Sequence, residues 1–407
     1  MNYKILHITP HLGGGVGKVL LNWLAYDNTH KQEIACLDYA NEKAIQFCKD
    51  KNLPLYSEIA AQDLLKKISE ADITVIHFWN HPLLYNFLVR NPLPEARIAI
   101  WSHISGANPP YVFNKKLFNI CDKFVFTTPI SYDYTEANPK YACILSTGGT
   151  EQFENIKPEA HDGFNAGYIG TVDFAKMHPL FVETLTKTKA DKIYITGGDN
   201  EKQIFRGSSP RFKVTGKLAD ISEILKKLDV FAYLLNPEHY GTGEQVLQEA
   251  MAAGVVPVVL NNPCEKTLVK HQETGLVADN LEEYVNYINL LGKNAHLRKM
   301  LSKNAKNYAK KFFSLKTMNK QWNKIFKELM QLPRTEKLWN FDKSNPTSYD
   351  IFLESLGDWR DIFENKTDKE LQNVLKNPNW TSETKGTPKQ YYSFLKGKEL
   401  EHLCSLY

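Results

Sequence analysis

The sequence predicts an α/β protein of two domains followed by a C-terminal extension. Apolar runs of strand length repeatedly end in glycine-containing turns and pass into helical patterns, an order that stacks strands into a parallel sheet. The chain has 407 residues, more than one ordinary core at about 100 to 200 residues per domain. Hydrophobic residues make up 43% of it, ample for two cores. The expected divisions are 1–155, 164–300, a basic amphipathic helix over 301–330, and an extension over 331–407.

The first unit opens with the apolar run Tyr3 to Ile8, the turn His11-Leu-Gly-Gly-Gly-Val-Gly-Lys18 and the helical pattern Val19, Leu20, Trp23, Leu24. A glycine turn between first strand and first helix suits a nucleotide, although the dinucleotide spacing is missing. A strand follows from Ile73 to Phe78. His77 and His81 have the i, i+4 spacing of a metal pair, but Pro82 and the strand pattern argue against a shared helix, and both are read as loop residues beside the site. Arg97 to Gly106 is an apolar strand ending in His103 and a turn, at the sheet edge where open α/β folds place ligand contacts. A histidine there also has a bland reading, a structural group satisfied by backbone. Ile144 to Phe153 closes the domain, and the polar run Glu151 to Gly163 reads as linker.

Three strand-turn units start the second domain: Asn165 to Pro179, Asp191 to Asp199 and Arg211 to Asp220. The densest signal is Tyr240-Gly-Thr-Gly-Glu-Gln-Val-Leu-Gln-Glu-Ala-Met-Ala-Ala-Gly-Val-Val-Pro-Val-Val-Leu260. Thr242 and Gln245 have capping-box spacing. Gly241 and Gly243 allow close approach of a ligand, and the helix N-terminus favours phosphate. Glu249 follows about two turns on, at ~1.5 Å per residue, within reach of a ribose. A nucleoside diphosphate fits this layout; an ordinary capped turn with a solvated Glu249 fits it too.

The run Glu249-Ala-Met-Ala-Ala-Gly-Val-Val-Pro-Val resembles the signature of retaining GT-B glycosyltransferases, glycosyltransferase family 4 (glycosyl transferases group 1) in particular, and the other pieces follow in that family's order over about residues 1 to 330. The resemblance implies a GT-B fold, two Rossmann-like domains facing across a cleft. It implies Glu249 on the ribose hydroxyls, Gly14, Gly15 and Gly17 against donor phosphates or acceptor, and His103 against the donor sugar. Gly170, Thr171 and Lys176 form the turn that meets the diphosphate, with Thr171 standing where the family has an arginine. Thr215, Gly216 and Lys217 belong to the loop that meets the base. Gly241, Thr242, Gly243, Glu244 and Gln245 line the donor side of the helix start. The family also places a glutamate eight positions before the ribose-binding one, where this chain has Gly241. Sugar recognition then falls to Glu238, Glu244 or backbone groups. His103, Lys176 and Glu244 are the catalytic expectation, with no metal and no cofactor, a UDP-sugar favoured over a GDP-sugar, and a glycan or lipid-linked acceptor. Three other readings stay open: an inverting enzyme, a sugar-nucleotide epimerase, and a non-catalytic sugar-nucleotide-binding protein, the last motivated by Thr171 and Gly241.

The six cysteines have no paired or metal-ligand spacing, which suits a reducing compartment. No signal peptide and no membrane span are legible, so a cytoplasmic location is expected. Net charge is +4, but lysines cluster between Asn286 and Met330 beside an apolar stripe. The resemblance implies that this stripe, over 301–330, packs back on the N-terminal domain as the family's last helix does; alternatively its basic face attracts an anionic membrane surface. Nucleic acid is not expected, since no reading motif accompanies the charge. The aromatic residues of 331–407 argue for order there.

Overall fold

The computed structural model describes residues 2–198, 200–241 and 243–407. Two compact units emerge. The first is Met1–Gly148 with the residues around Tyr240 and Met318–Tyr407; the second is Gly149–His239 with Gly243–Thr317.

The first unit is built on strands β1 (Lys4–Thr9), β2 (Lys31–Cys36), β3 (Leu55–Tyr56), β4 (Ile73–Phe78), β5 (Leu93–Ala96), β6 (Ile98–Ser102), β7 (Lys123–Phe126) and β8 (Tyr141–Cys143). Seven of them form one sheet in the order β3-β2-β1-β4-β6-β7-β8, every neighbouring pair parallel. β4 and β6 are buried along their whole length, as strands covered on both faces must be, and so they read as continuous apolar runs. The helix Gly14–Tyr26 turns Val19, Leu20, Trp23 and Leu24 inward.

The second unit carries β9 (Asn165–Ile169), β10 (Lys192–Thr196), β11 (Phe212–Gly216), β12 (Val230–Tyr233), β13 (Val256–Leu260) and β14 (Leu276–Ala278). They form a sheet in the order β11-β10-β9-β12-β13-β14, again parallel throughout. Its reversal of order lies at β9 and β12, where ligands of open sheets bind.

The basic stretch differs from the single helix expected. It is two helices, Ala295–Phe312 and Leu315–Leu329: Asn294 caps the first, accepting from the Leu297 amide at 2.9 Å, and the break falls at Ser314, which accepts from the Thr317 amide at 3.2 Å and opens the second. The second helix buries Trp322, whose ring centroid lies 5.1 Å from those of both Trp23 and Trp101.

The extension is ordered and belongs to the first unit. Strand β15 (Thr335–Lys337) pairs antiparallel with β5. Trp339, Phe352, Phe363, Trp380 and Tyr391 share one apolar cluster with Phe78, Tyr85 and Phe124. Asn114 Nδ2 donates to the Glu354 carbonyl at 2.7 Å and Asn80 Nδ2 to that of Ser355 at 3.1 Å, so side chains of the first unit satisfy the C-terminal carbonyls of helix Ser348–Ser355.

Candidate functional site

In the second unit, Lys176 lies in the turn after β9, held by its amide on Asp173 Oδ1 at 3.1 Å and by its carbonyl, which accepts from Asn236 at 2.9 Å. Its ammonium donates to Glu244 Oε2 at 2.6 Å, and the Tyr233 hydroxyl donates to the same oxygen. Lys176 is 5% exposed and Glu244 1%. A solvated turn lysine is therefore excluded. Burial alone would raise the Glu244 carboxyl, but the charges of Lys176 and His239 and two side-chain hydrogen bonds outweigh it and hold the pKa at about 2. The sheet brings together two residues 68 positions apart.

Sequence reasoning missed His239 and Glu265. His239 Nδ1 lies 3.9 Å from Glu244 Oε1, and its Nε2 lies 2.8 Å from Glu265 Oε1. The second contact is close but poorly aligned, since neither Glu265 oxygen accepts a hydrogen bond from the described residues. His239, Glu244 and Glu265 offer ligand atoms within 4.8 Å of one another, a grouping of types that hold divalent cations. Of the three, Glu244 already accepts from the Lys176 ammonium. Nothing in the spacing of His239 and Glu265 announces this meeting.

The helix start departs from the expected capping box. The helix is Gln245–Ala253 with Glu244 at its N-cap, left-handed at φ 44° and making no side-chain cap bond; its carboxylate is drawn to Lys176 instead. A non-glycine residue in that region is strained, a cost of order 1–3 kcal/mol that clusters at functional positions. Thr242 lies outside the described residues. Glu249 is buried, at 3% exposure, which removes the solvated reading. Glu238 is exposed and Gly241 adopts φ 49°. Gln248 Nε2 donates to the Gly243 carbonyl.

The glycine turns of the second unit follow the sheet edge. A Cβ on Gly197 would lie 1.8 Å from the Gly170 carbonyl oxygen, so the turns after β9 and β10 touch where only glycine fits. Thr171 is half-buried, and its carbonyl accepts from the Tyr168 hydroxyl at 2.7 Å. Thr215 Oγ1 lies 2.9 Å from Thr196 Oγ1, Gly216 is left-handed at φ 71° and Lys217 is exposed.

In the first unit, Gly14 takes φ 62° and opens its helix with no side-chain cap. Gly14 and Gly15 are exposed, whereas Gly17 is buried with the Leu12 carbonyl carbon 3.3 Å from where a Cβ would sit. Gly17 thus packs closely against the Leu12 backbone. His77 also needs correction. It is not in a loop but inside β4, fully buried, with Nδ1 3.0 Å from His103 Nε2. His81 accepts from the Leu83 amide at 3.3 Å and starts the helix Pro82–Arg90.

Residues 150–308 match the family model of glycosyl transferases group 1. The matched segment contains Lys176, Glu244 and Glu249. A curated relative, the GDP-Man:Man(3)GlcNAc(2)-PP-Dol alpha-1,2-mannosyltransferase of Dictyostelium discoideum, is 36% identical over 69 residues, a stretch spanning 17% of this chain and 13% of that relative. Among solved structures, HepE of Anabaena in complex with UDP is 16% identical, with TM-score 0.64 over 80% of this chain and 100% of that one. The glycosyltransferase from Rickettsia africae is 15% identical, with TM-score 0.65 over 81% and 99%. Sucrose-phosphate synthase from Thermosynechococcus elongatus is 13% identical, with TM-score 0.60 over 81% and 99%. The shared fold is GT-B, with two Rossmann-like units of parallel sheet.

Proposed function

We infer that the protein is a GT-B glycosyltransferase of the group 1 type, which moves a sugar from a nucleoside-diphosphate donor to a glycan or lipid-linked acceptor with retention of anomeric configuration. The observation that carries this is the buried Lys176–Glu244 pair inside the matched segment 150–308, with buried Glu249 on the helix that starts beside it. Glu244 orients the Lys176 ammonium. Together with the positive end of helix Gln245–Ala253, that ammonium stabilises the charge growing on a departing diphosphate. The departing phosphate then takes the acceptor proton on the face it leaves, and no separate base is needed. Glu249 binds the ribose hydroxyls and His103 the donor sugar.

A UDP-sugar is the proposed donor and synthesis of a bacterial surface polysaccharide, at the inner face of the cytoplasmic membrane, the proposed setting. The Dictyostelium relative is named for GDP-mannose, so the base belongs in the experiment. Glu249→Ala should weaken binding of the cognate nucleotide, UDP or GDP, by about 1.5 to 3 kcal/mol through loss of charge-assisted hydrogen bonds. Removing the ribose hydroxyls should then cost the variant little more. If wild type and variant lose equal affinity with the deoxyribose nucleotide, Glu249 does not bind the ribose.

A further inference from the structure

A continuous chain of buried side chains crosses the first unit beneath His103. Asp27 begins it at the end of helix Gly14–Tyr26, where Oδ1 accepts from the Thr29 amide at 3.1 Å and Oδ2 from Gln32 Nε2 at 2.5 Å. Gln32 Oε1 lies 2.7 Å from His7 Nε2. His7 Nδ1 lies 3.0 Å from His77 Nε2, and His77 Nδ1 lies 3.0 Å from His103 Nε2. The planes of the His77 and His103 rings are within 6° of parallel. Gln32, His7 and His77 come from adjacent strands β2, β1 and β4, and His103 from the residue that follows β6, all of them buried.

The direction of these bonds follows from donor and acceptor chemistry. A carboxylate only accepts, so Gln32 must present its NH2 to Asp27 and its carbonyl oxygen to His7. That oxygen only accepts, which places the His7 proton on Nε2. A neutral imidazole has one donor and one acceptor nitrogen, so His7 Nδ1 accepts and His77 Nε2 donates. The same step puts the His103 proton on Nε2 and a lone pair on Nδ1. Burial keeps the rings neutral, lowering His7 to about 4, His77 well below its ordinary value and His103 to about 3.

We propose that the chain Asp27–Gln32–His7–His77 is a tautomer lock that holds His103 in the Nε2–H form, so that its Nδ1 acts solely as an acceptor and the group set against it must be a hydroxyl or another donor. Gln32, His7 and His77 are positioning residues acting through His103. The consequence for substrate rests on the proposed glycosyl transfer, in which His103 meets a sugar; the lock itself does not.

The test is nitrogen NMR of the full chain labelled with 15N-histidine, the His103 signals being identified by their loss in His103→Gln. In the wild type, His103 should show a pyrrole-type Nε2 and a pyridine-type Nδ1. In Gln32→Leu, both tautomers should populate and the two shifts converge. Since Gln32→Leu strips a partner from buried Asp27, His77→Phe provides a second break of similar bulk with the same expected convergence. A protonated His103 Nδ1 in the neutral wild-type ring overturns the proposal, as does an unchanged His103 spectrum in folded His77→Phe. Neither readout needs a substrate, so failure of the lock is distinct from failure to bind any nucleotide sugar.

Discussion

At Lys176 and Glu244, two charges almost wholly removed from water are held 2.6 Å apart, and each offsets part of the cost of burying the other. Lys176→Ala should cost about 3 to 5 kcal/mol of stability by removing the opposite charge from a buried carboxylate, as well as removing turnover. A double variant, Lys176→Met with Glu244→Met, separates the two effects: denaturant unfolding should show most of the stability restored while turnover stays lost. Restored turnover in the double variant would make the pair structural. A second prediction at this scale concerns acid. His7, His77 and His103 have folded-state pKa values lowered below 6.5 by burial, so between pH 6.5 and about 4 the unfolded chain binds more protons than the folded one. Their contribution to stability is complete above 6.5 and is lost as pH falls through that window. Melting temperatures from neutral pH to pH 4 should therefore decline, with a weaker decline in His77→Phe. Glu244, held at about 2, loses its contribution only below 4.5. A flat profile from 6.5 to 4 would mean that these histidines are not buried as described. Much of this scale was illegible in the sequence. His103 stood out at a strand end, Lys176 through the family's turn and Glu244 at a helix start, but His7 looks like an isolated polar exception in an apolar strand and Gln32, between Lys31 and Glu33, looks like solvated edge until the register of the sheet brings them together.

At the scale of elements, the strands were the legible part. Ile73 to Phe78 and the start at Asn165 coincide with β4 and β9 because strands buried on both faces are unbroken apolar runs with turn residues at their ends. Helix ends were harder. Asn294 and Ser314 fall within a continuous amphipathic pattern, and their capping is a matter of local hydrogen bonds that periodicity does not register. In the helix Ala295–Phe312, Lys303, Lys310 and Lys311 are exposed and Lys306 is half-buried, with Lys310 also paired to Glu154 at 3.1 Å. If this face meets an anionic leaflet, sedimentation with anionic vesicles should show weak binding that falls at higher salt, with little binding to neutral vesicles and a loss in a variant carrying Lys→Glu at all four positions. Equal binding to both vesicle types, or to neither, leaves the helix as packing alone. No described helix is long and apolar enough to cross a membrane.

At the scale of the whole molecule, the C-terminal extension is part of a core rather than an appendage. Its Trp339, Phe352, Trp380 and Tyr391 lie in the same cluster as Tyr85 and Phe124, and β15 covers β5, an edge that would otherwise expose backbone groups. Deleting residues 331–407 should leave a chain that aggregates or binds an apolar dye, measured by light scattering and dye fluorescence. A monomeric, cooperatively melting truncated protein would show that the first unit does not need it. The aromatic content announced order in this segment, but its partners lie more than two hundred residues away in the chain, beyond the reach of local pattern. The central claim, a glycosyltransferase working on a nucleoside-diphosphate donor, is tested most directly by presenting the protein with a panel of UDP- and GDP-sugars and measuring nucleoside-diphosphate release with and without glycan acceptors. One donor should be turned over, with the acceptor raising the rate, and Lys176→Ala should reduce that turnover by about 10² or more; a protein that binds a nucleotide sugar tightly yet releases no diphosphate with any acceptor, or that binds none of the panel, contradicts the account.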